Sequence, residues 1–277
     1  MPPIPLLLSA GEASGDMYAA RLATALKQRL DVAIFGMGGP QMRAAGVEIV
    51  TDYSEVSVVG ITEVLKRLPS LVRAMRRLVE EAQRRKPPFA ILTDFPGFHL
   101  RLARKLRPQG IRNVYYICPQ FWAWRPWRVN LVRRRFVEAL CIFRFEEQFY
   151  ADAGVPVKFI GHPLVGNVGA TVTREFFCKK YGLQESGRII TVLPGSRRGE
   201  ISHHLPFLVE GLREIRERIS GPPQIVVAVA PGLDAARIQN RFPDEWNARF
   251  IPNDAYNALA ASDLAIVSSG TATLESA

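Results

Sequence analysis

Short apolar runs alternate with amphipathic segments along the whole chain, and no other feature limits the fold so strongly. Pro5 to Leu8, Val32 to Phe35, Ala90 to Thr93, Asn113 to Ile117, Ala139 to Ile142 and Lys158 to Ile160 read as strands. So do Ile189 to Leu193, Ile225 to Val229, Arg249 to Ile251 and Leu264 to Val267. Helical spacing lies between them at Met17 to Arg29, Leu68 to Arg85, Leu100 to Arg107 and Pro206 to Ile219. This alternation predicts an α/β protein whose parallel sheets carry helices on both faces. Glycines and small residues break the pattern at "FIGHPLVGNVGATVTRE" and divide the chain into 1–165 and 166–277, two Rossmann-like domains facing a cleft. The sequence stops at "SSGTATLESA", where a helix has barely begun, so the second domain reads as incomplete.

With 277 residues, 48% of them hydrophobic and 22% charged, the chain holds enough apolar material for two cores. No apolar run is long enough to cross a bilayer, and "PPIPLLLSA" is too short and lacks the basic flank of a secretory signal. A cytoplasmic protein is expected. Cys118, Cys141 and Cys178 are widely spaced and odd in number, which fits neither a disulfide framework nor a zinc site. They read as buried small hydrophobes.

The net charge of +10 lies in the first half: residues 1–160 hold 24 Lys+Arg against 14 Asp+Glu, and the remainder 12 against 12. Much of it falls in "KRLPSLVRAMRRLVEEAQRRK", where Leu68, Leu71, Val72, Met75, Leu78, Val79 and Ala82 share one helical face and residues such as Arg76 fill the rest. Such a helix either packs on a core with a solvated basic back, or is drawn to an anionic membrane at roughly 1 kcal/mol per nearby Lys or Arg. Nucleic acid loses weight, because no helix-turn-helix, aromatic RNA-binding signature or zinc finger accompanies the charge.

In a parallel α/β sheet, ligands meet the loops that follow the strands. Four such loops stand out. "SAGEASGD" follows the first strand with small residues and two acids, and reads either as a plain connection or as backbone brought up to a ligand. "TDFPGFH" sets Asp94 at a strand end, as a helix cap or as a base. "LPGSRRGEI" offers Gly195 for close approach, Ser196 as donor, and Arg197 and Arg198 for phosphate. "VSSGTATLE" brings the hydroxyls of Ser269, Thr271 and Thr273 and the bare N–H of Gly270 to a helix N-terminus, which suits an anion. Two anion-suited loops in one domain make a diphosphate the natural ligand.

Several chemistries are disfavoured. There is no G-x-x-x-x-G-K-[ST] P-loop, and "GMGGPQM" lacks the third glycine of a dinucleotide fingerprint. No Asp-x-Asp pair or histidine cluster suggests a metal site, since His203 and His204 are adjacent and point apart. A reaction without metal or cofactor is expected. The run "CPQFWAWRPWR" gathers Phe121, Trp122, Trp124 and Trp127 beside Arg125 and Arg128; its rings suit either a core or a membrane interface and acyl chain.

Together, "SAGEASGD", "FGMGGPQMRAAGVE", "VVGITEVL", "CPQFWAWRPWR", "FIGHPL", "LPGSRRGEI" and "SSGTATLE" resemble lipid-A-disaccharide synthase in order and approximate spacing. The resemblance covers nearly the whole chain. It implies a GT-B fold and an inverting, metal-independent glycosyltransferase. The implied reaction joins UDP-2,3-diacylglucosamine to 2,3-diacylglucosamine 1-phosphate, giving lipid A disaccharide 1-phosphate and UDP. It further implies Asp94 as base, Arg197 and Arg198 on the departing diphosphate, and Glu275 on the ribose hydroxyls. Glu12 and Ser14 would contact the acceptor. Trp122, Trp124, Arg125, Met75 and Arg76 would lie near the acyl chains and an anionic membrane. The implied location is peripheral, on the cytoplasmic face of the inner membrane, with a homo-oligomer allowed. This chain departs from the family's D-x-P-D-F-N by carrying Gly97 and His99, and Arg144 stands where a proline is usual. The family's last C-terminal segment is absent. Another GT-B enzyme on a UDP-sugar, or a non-catalytic nucleotide- or lipid-binding relic, are the alternatives.

Overall fold

The computed structural model describes residues 2–56, 61–166, 169–196, 198–230, 233–268 and 273, with 61–67 and 198 described by their backbone. The chain separates into two compact units, residues 1–163 and 164–277.

In the first unit the order is β1 (Ile4–Ala10), α1 (Ala13–Lys27), β2 (Val32–Gly38), α2 (Pro40–Ala44), β3 (Glu48–Asp52) and α3 (Ile61–Arg85). There follow β4 (Phe89–Thr93), α4 (Pro96–Leu106), β5 (Arg112–Tyr116), α5 (Val129–Arg135), β6 (Glu138–Cys141), α6 (Arg144–Asp152) and β7 (Val157–Phe159). The seven strands form one parallel sheet in the order β3-β2-β1-β4-β5-β6-β7. Strand β3 was not foreseen, because "EIVTD" is short and carries an acid at each end. Its place at the sheet edge requires only a half-buried pattern.

The sheet's alternating side chains build two cores. Leu7, Phe35, Leu92 and Tyr115 face α3, α4 and α5 and meet Leu78, Leu102 and Val132. Leu6, Leu8 and Ile34 turn the other way, toward Ala19, Ala20 and Ala23 of α1 and Met42 of α2. Small residues on α1 let it lie close to the strands. Helix α3 starts at Ile61, earlier than its spacing suggested, and contains Pro69. Leu71, Met75, Leu78, Val79 and Ala82 pack on the core, whereas Leu68 and Val72, predicted for the same face, are more than half exposed. The apolar stripe drifts around the helix, so its first described turns leave the sheet behind.

The second unit contains α7 (Arg174–Tyr181), β8 (Ile189–Leu193), α8 (Arg198–Arg218), β9 (Gln224–Val229), α9 (Ala235–Gln239), β10 (Arg249–Pro252), α10 (Ala255–Ala260) and β11 (Leu264–Val267). Its parallel sheet has the order β10-β9-β8-β11. Val192, Val227 and Val229 pack against Ile201, Leu205 and Leu212 of α8, while Ile189, Val226 and Ile251 pack against Phe177 and Ala258. All three cysteines are buried and unbridged.

Candidate active site at the carboxyl ends of the strands

A doubly wound sheet offers a ligand site where the winding reverses direction, because adjacent loops there turn to opposite faces. In the first sheet this point lies between β1 and β4. Ala10 pairs with Thr93, so the segments beginning at Gly11 and Asp94 leave the sheet side by side. The Gly11 N–H donates to Asp94 Oδ1 at 3.0 Å. Asp94 does not cap α4, whose N-cap is Phe95.

The turn carrying Asp94 has an unfavourable backbone. Asp94 (φ +55°) and Phe95 (φ +40°) both occupy the left-handed region, which costs a residue with a Cβ roughly 1–2 kcal/mol. Two hydrogen bonds hold it there. His99 Nδ1 lies 2.9 Å from the Asp94 carbonyl oxygen, and the Tyr115 hydroxyl donates to the same oxygen at 2.8 Å. A carbonyl only accepts, so the His99 proton sits on Nδ1, and Nε2 accepts from the Ser9 hydroxyl 2.8 Å away. Burial pulls the His99 pKa down to about 4, which keeps the ring neutral and this tautomer fixed near neutral pH. The histidine therefore does local work at the place where the family pattern has an amide. At Gly97, the other departure, nothing lies within 4 Å of where a Cβ would be, so the glycine leaves the Asp94 turn undisturbed.

The carboxyl itself is closely confined. Oδ2 is buried and makes no hydrogen bond of good geometry among the described residues. A Cβ on Gly15 would stand 1.7 Å from Oδ2, and one on Gly11 would stand 2.4 Å from the Phe95 ring. Only glycine at these two places lets α1 and the Asp94 turn approach so closely. Loss of hydration pushes the Asp94 pKa well above the usual carboxylate range; the backbone N–H groups of Gly11 and Gly15 oppose this, and the charges of Glu12 and Asp16 add to it.

The two acids of "SAGEASGD" have separate roles. Asp16 is buried, and its carboxylate accepts from the backbone N–H groups of Gly39 (2.7 Å), Gln41 (3.0 Å) and Met42 (3.1 Å). It ties α1 to the start of α2 through "GGPQM". Glu12 is half-buried at the N-cap of α1, and Ser14 is half-buried in its first turn. Ser9, Gly11, Gly15 and Tyr115 were missed from sequence. Glycine and serine in a short loop are common, and Tyr115 lies inside a strand whose pattern reads as core.

In the second sheet the winding reverses between β8 and β11, where Leu193 pairs with Val267. The loops "PGSRRGE" and "SSGTATLE" therefore start from neighbouring strand ends, and Ser268 N–H donates to the Leu193 carbonyl at 3.0 Å. Gly195 has φ +126°, which favours glycine. The Ser196 N–H donates to Glu200 Oε2 at 3.1 Å, folding the loop onto the first turn of α8. Arg197, Ser269, Gly270, Thr271 and Glu275 lie outside the described residues, as does the side chain of Arg198; Thr273 is described and is exposed.

The aromatic run follows β5. Phe121 is buried, whereas Trp122, Trp124 and Trp127 are 42%, 44% and 59% exposed. Trp122 Nε1–H donates at 3.2 Å to the buried Glu146, whose pKa burial raises. Arg125 is exposed and lies over the Trp124 ring at 5.6 Å. Met75 packs against the core, and exposed Arg76 pairs with Glu80 at 3.5 Å. Among the described residues no three His, Cys, Asp or Glu side chains are grouped to hold a metal ion, and no helix is long and apolar enough to cross a membrane.

Two doubly wound parallel sheets, each with polar loops at its reversal point, define the GT-B class of nucleotide-sugar enzymes. Solved structures agree on the fold. A UDP-GlcNAc 2-epimerase from Neisseria meningitidis, bound to UDP-GlcNAc, superposes with a TM-score of 0.69 at 10% identity, over 96% of this chain and 78% of the other. The calicheamicin glycosyltransferase CalG4 gives 0.57 at 16% identity, over 100% and 77%. Sequence comparison goes further. The family model for lipid-A-disaccharide synthetase matches residues 6–277. The lipid-A-disaccharide synthase of Myxococcus xanthus (strain DK1622) is 44% identical over 272 residues, 98% of this chain and 71% of that protein. That of Solibacter usitatus (strain Ellin6076) is 43% identical over 274 residues, again 98% and 71%. The chain belongs to the lipid-A-disaccharide synthase family, glycosyltransferases of lipid A biosynthesis.

Proposed function

We propose that this chain transfers 2,3-diacylglucosamine from UDP to the 6-hydroxyl of 2,3-diacylglucosamine 1-phosphate, with inversion and with Asp94 as the base. The observation that carries this reading is the Asp94 carboxyl, buried at the reversal point of the first sheet with a raised proton affinity. In the step, the acceptor oxygen forms a bond to the anomeric carbon as the carbon–oxygen bond to the diphosphate breaks. UDP leaves with the electron pair, and the hydroxyl proton passes to Asp94. A carboxylate with a raised pKa is the stronger base once ionised. In the conformation described, Oδ2 lies against Gly15, so accepting that proton requires the carboxyl to turn toward the acceptor. Glu12 and Ser14, at the start of α1 beside Gly15, would bind the acceptor's polar groups.

The first unit then serves the acceptor and the second the UDP-sugar. Gly195, Ser196, Arg197 and Arg198, with Ser269, Gly270, Thr271 and Thr273, would receive the diphosphate without a metal, and Glu275 the ribose hydroxyls. Exposed Trp122, Trp124 and Arg125 support contact with acyl chains or a membrane, where amphipathic rings settle at the interface. Met75 and Arg76 of α3 would approach the acyl chains of a bound substrate rather than the bilayer. The protein would act peripherally at the cytoplasmic face of the inner membrane.

The test follows UDP release and disaccharide formation from the two diacyl substrates. Asp94→Asn is expected to bind the UDP-sugar normally and to lose turnover. Equal loss of binding and turnover would reduce Asp94 to a structural role.

A further inference from the structure

The helices α3, α4 and α5 cover one face of the first sheet, and their positive charges behave differently. On α3, Arg76 pairs with Glu80 at 3.5 Å, Arg77 with Glu55 at 3.7 Å, and Arg85 with Glu81 and Glu48 at 2.7 Å each. Arg84 also pairs with Glu81. The described basic back of this helix is largely neutralised where it stands.

The next stretch has no such balance. Between Phe95 and Val137 there are ten lysines and arginines and no acidic residue. Arg101 and Arg104 on α4, Arg125 and Arg128 in the aromatic loop, and Arg134 and Arg135 on α5 enter no ion pair among the described residues. They crowd one another instead. Burial, then Arg125 and Arg101, lowers the pKa of Arg128; burial, then Arg104, Arg101 and Arg134, lowers that of Arg135. Uncompensated like charge works against the compact state, so its concentration on one face calls for an external anion.

The aromatic loop indicates which anion. Trp124 and Trp127 are exposed at the edge of this field, and Arg128 lies over both rings, at 5.4 Å and 5.5 Å. Stacking on nucleic acid bases needs open ring faces, and here a guanidinium lies over each ring. Tryptophan beside arginine suits a lipid headgroup layer, where the ring settles at the interface and the cation meets phosphate.

We propose that the face formed by α4, α5 and the aromatic loop, carrying Arg101, Arg104, Arg125, Arg128, Arg134 and Arg135, docks this protein on an anionic phospholipid bilayer. The basic back of α3 does not. This deepens the reading above, which draws lipid substrates from a membrane, by naming the surface that meets it.

Co-sedimentation of the full chain with phosphatidylcholine vesicles, with and without phosphatidylglycerol, tests the proposal. Each arginine near an anionic surface contributes about fivefold in partitioning, so Arg104→Gln with Arg134→Gln is expected to weaken binding to the anionic vesicles about 25-fold. Arg76→Gln with Arg77→Gln is expected to change it less than about twofold. Equal losses in the two pairs, unchanged binding in the first, or no preference for phosphatidylglycerol would overturn the proposal. Single-stranded RNA that binds more tightly than the vesicles and displaces the protein from them would make the partner a nucleic acid, with the same result. Turnover of substrates dispersed in neutral detergent keeps the two readings apart. The Arg104/Arg134 variant should keep that activity, and a wild-type chain that docks without turnover would count against glycosyl transfer alone.

Discussion

The loops after β4 and after β8 each leave their sheet at its reversal point, yet they are built in opposite ways. The first is closed: Asp94 sits on a left-handed turn held by His99 and Tyr115, with its carboxyl against Gly15 and Gly11. The described part of the second is more open, with exposed Ser196 donating its N–H to Glu200. The contrast fits the roles proposed above: a base gains proton affinity from dehydration and must be held in one place, so its scaffold is buried. A loop that takes up a charged diphosphate needs free N–H groups and cations, and burying them beforehand would cost more than it returned.

The largest effect expected from breaking this contrast is at Asp94. Asp94→Asn should lower kcat by about 10³-fold or more, measured by UDP release. In the wild type, kcat should fall on the acid side with a midpoint above the ordinary carboxylate pKa of about 3.9, because the base must be ionised. Stability should show the opposite sign. A raised folded-state pKa means that the native state holds the proton better than the unfolded chain, so the charged form weakens the fold as pH rises through that pKa. Asp94→Asn should therefore have a higher Tm than the wild type at neutral pH, with the gain disappearing in acid.

Gly15→Ala comes next. Its methyl would overlap the carboxyl, so a stability loss of about 2 kcal/mol by denaturant titration is expected, with a kcat loss of about 100-fold from displacement of the base. His99 sharpens the comparison further. His99→Leu removes the bonds to both Asp94 and Ser9 and should lower kcat about 10-fold or more with little change in KM. His99→Asn restores a donor toward the Asp94 carbonyl and should recover most of that loss. Equal kcat in the two variants would show that the histidine only fills space. The smallest effect belongs to the open loop: Glu200→Ala should raise KM for the UDP-sugar about fivefold, the worth of one modest hydrogen bond, and leave kcat nearly unchanged.

Much of this protein was legible in its sequence. Ten of the eleven strands among the described residues were readable because a buried parallel strand must be apolar on both faces, and β3 escaped because an edge strand need not be. Asp94, Gly195 and Ser196 could be placed at strand ends, since a parallel sheet leaves few other sites for chemistry. The quoted motifs resemble one family, and the family model and curated relatives bear that out.

What the sequence could not show depends on groups far apart in the chain. His99 reads as a departure from a pattern until it is seen bridging Ser9 and the Asp94 carbonyl. Asp16 resembles a site residue until three backbone N–H groups of another loop surround it. The sequence shows acids among the cations of α3 and none between Phe95 and Val137, but only the structure shows which cations are paired. Local pattern determines which elements form, because burial of apolar faces is periodic along the chain. Tertiary structure decides what each polar group does, because hydrogen bonds and ionisation depend on which atoms lie within a few ångströms, wherever those atoms fall in the sequence.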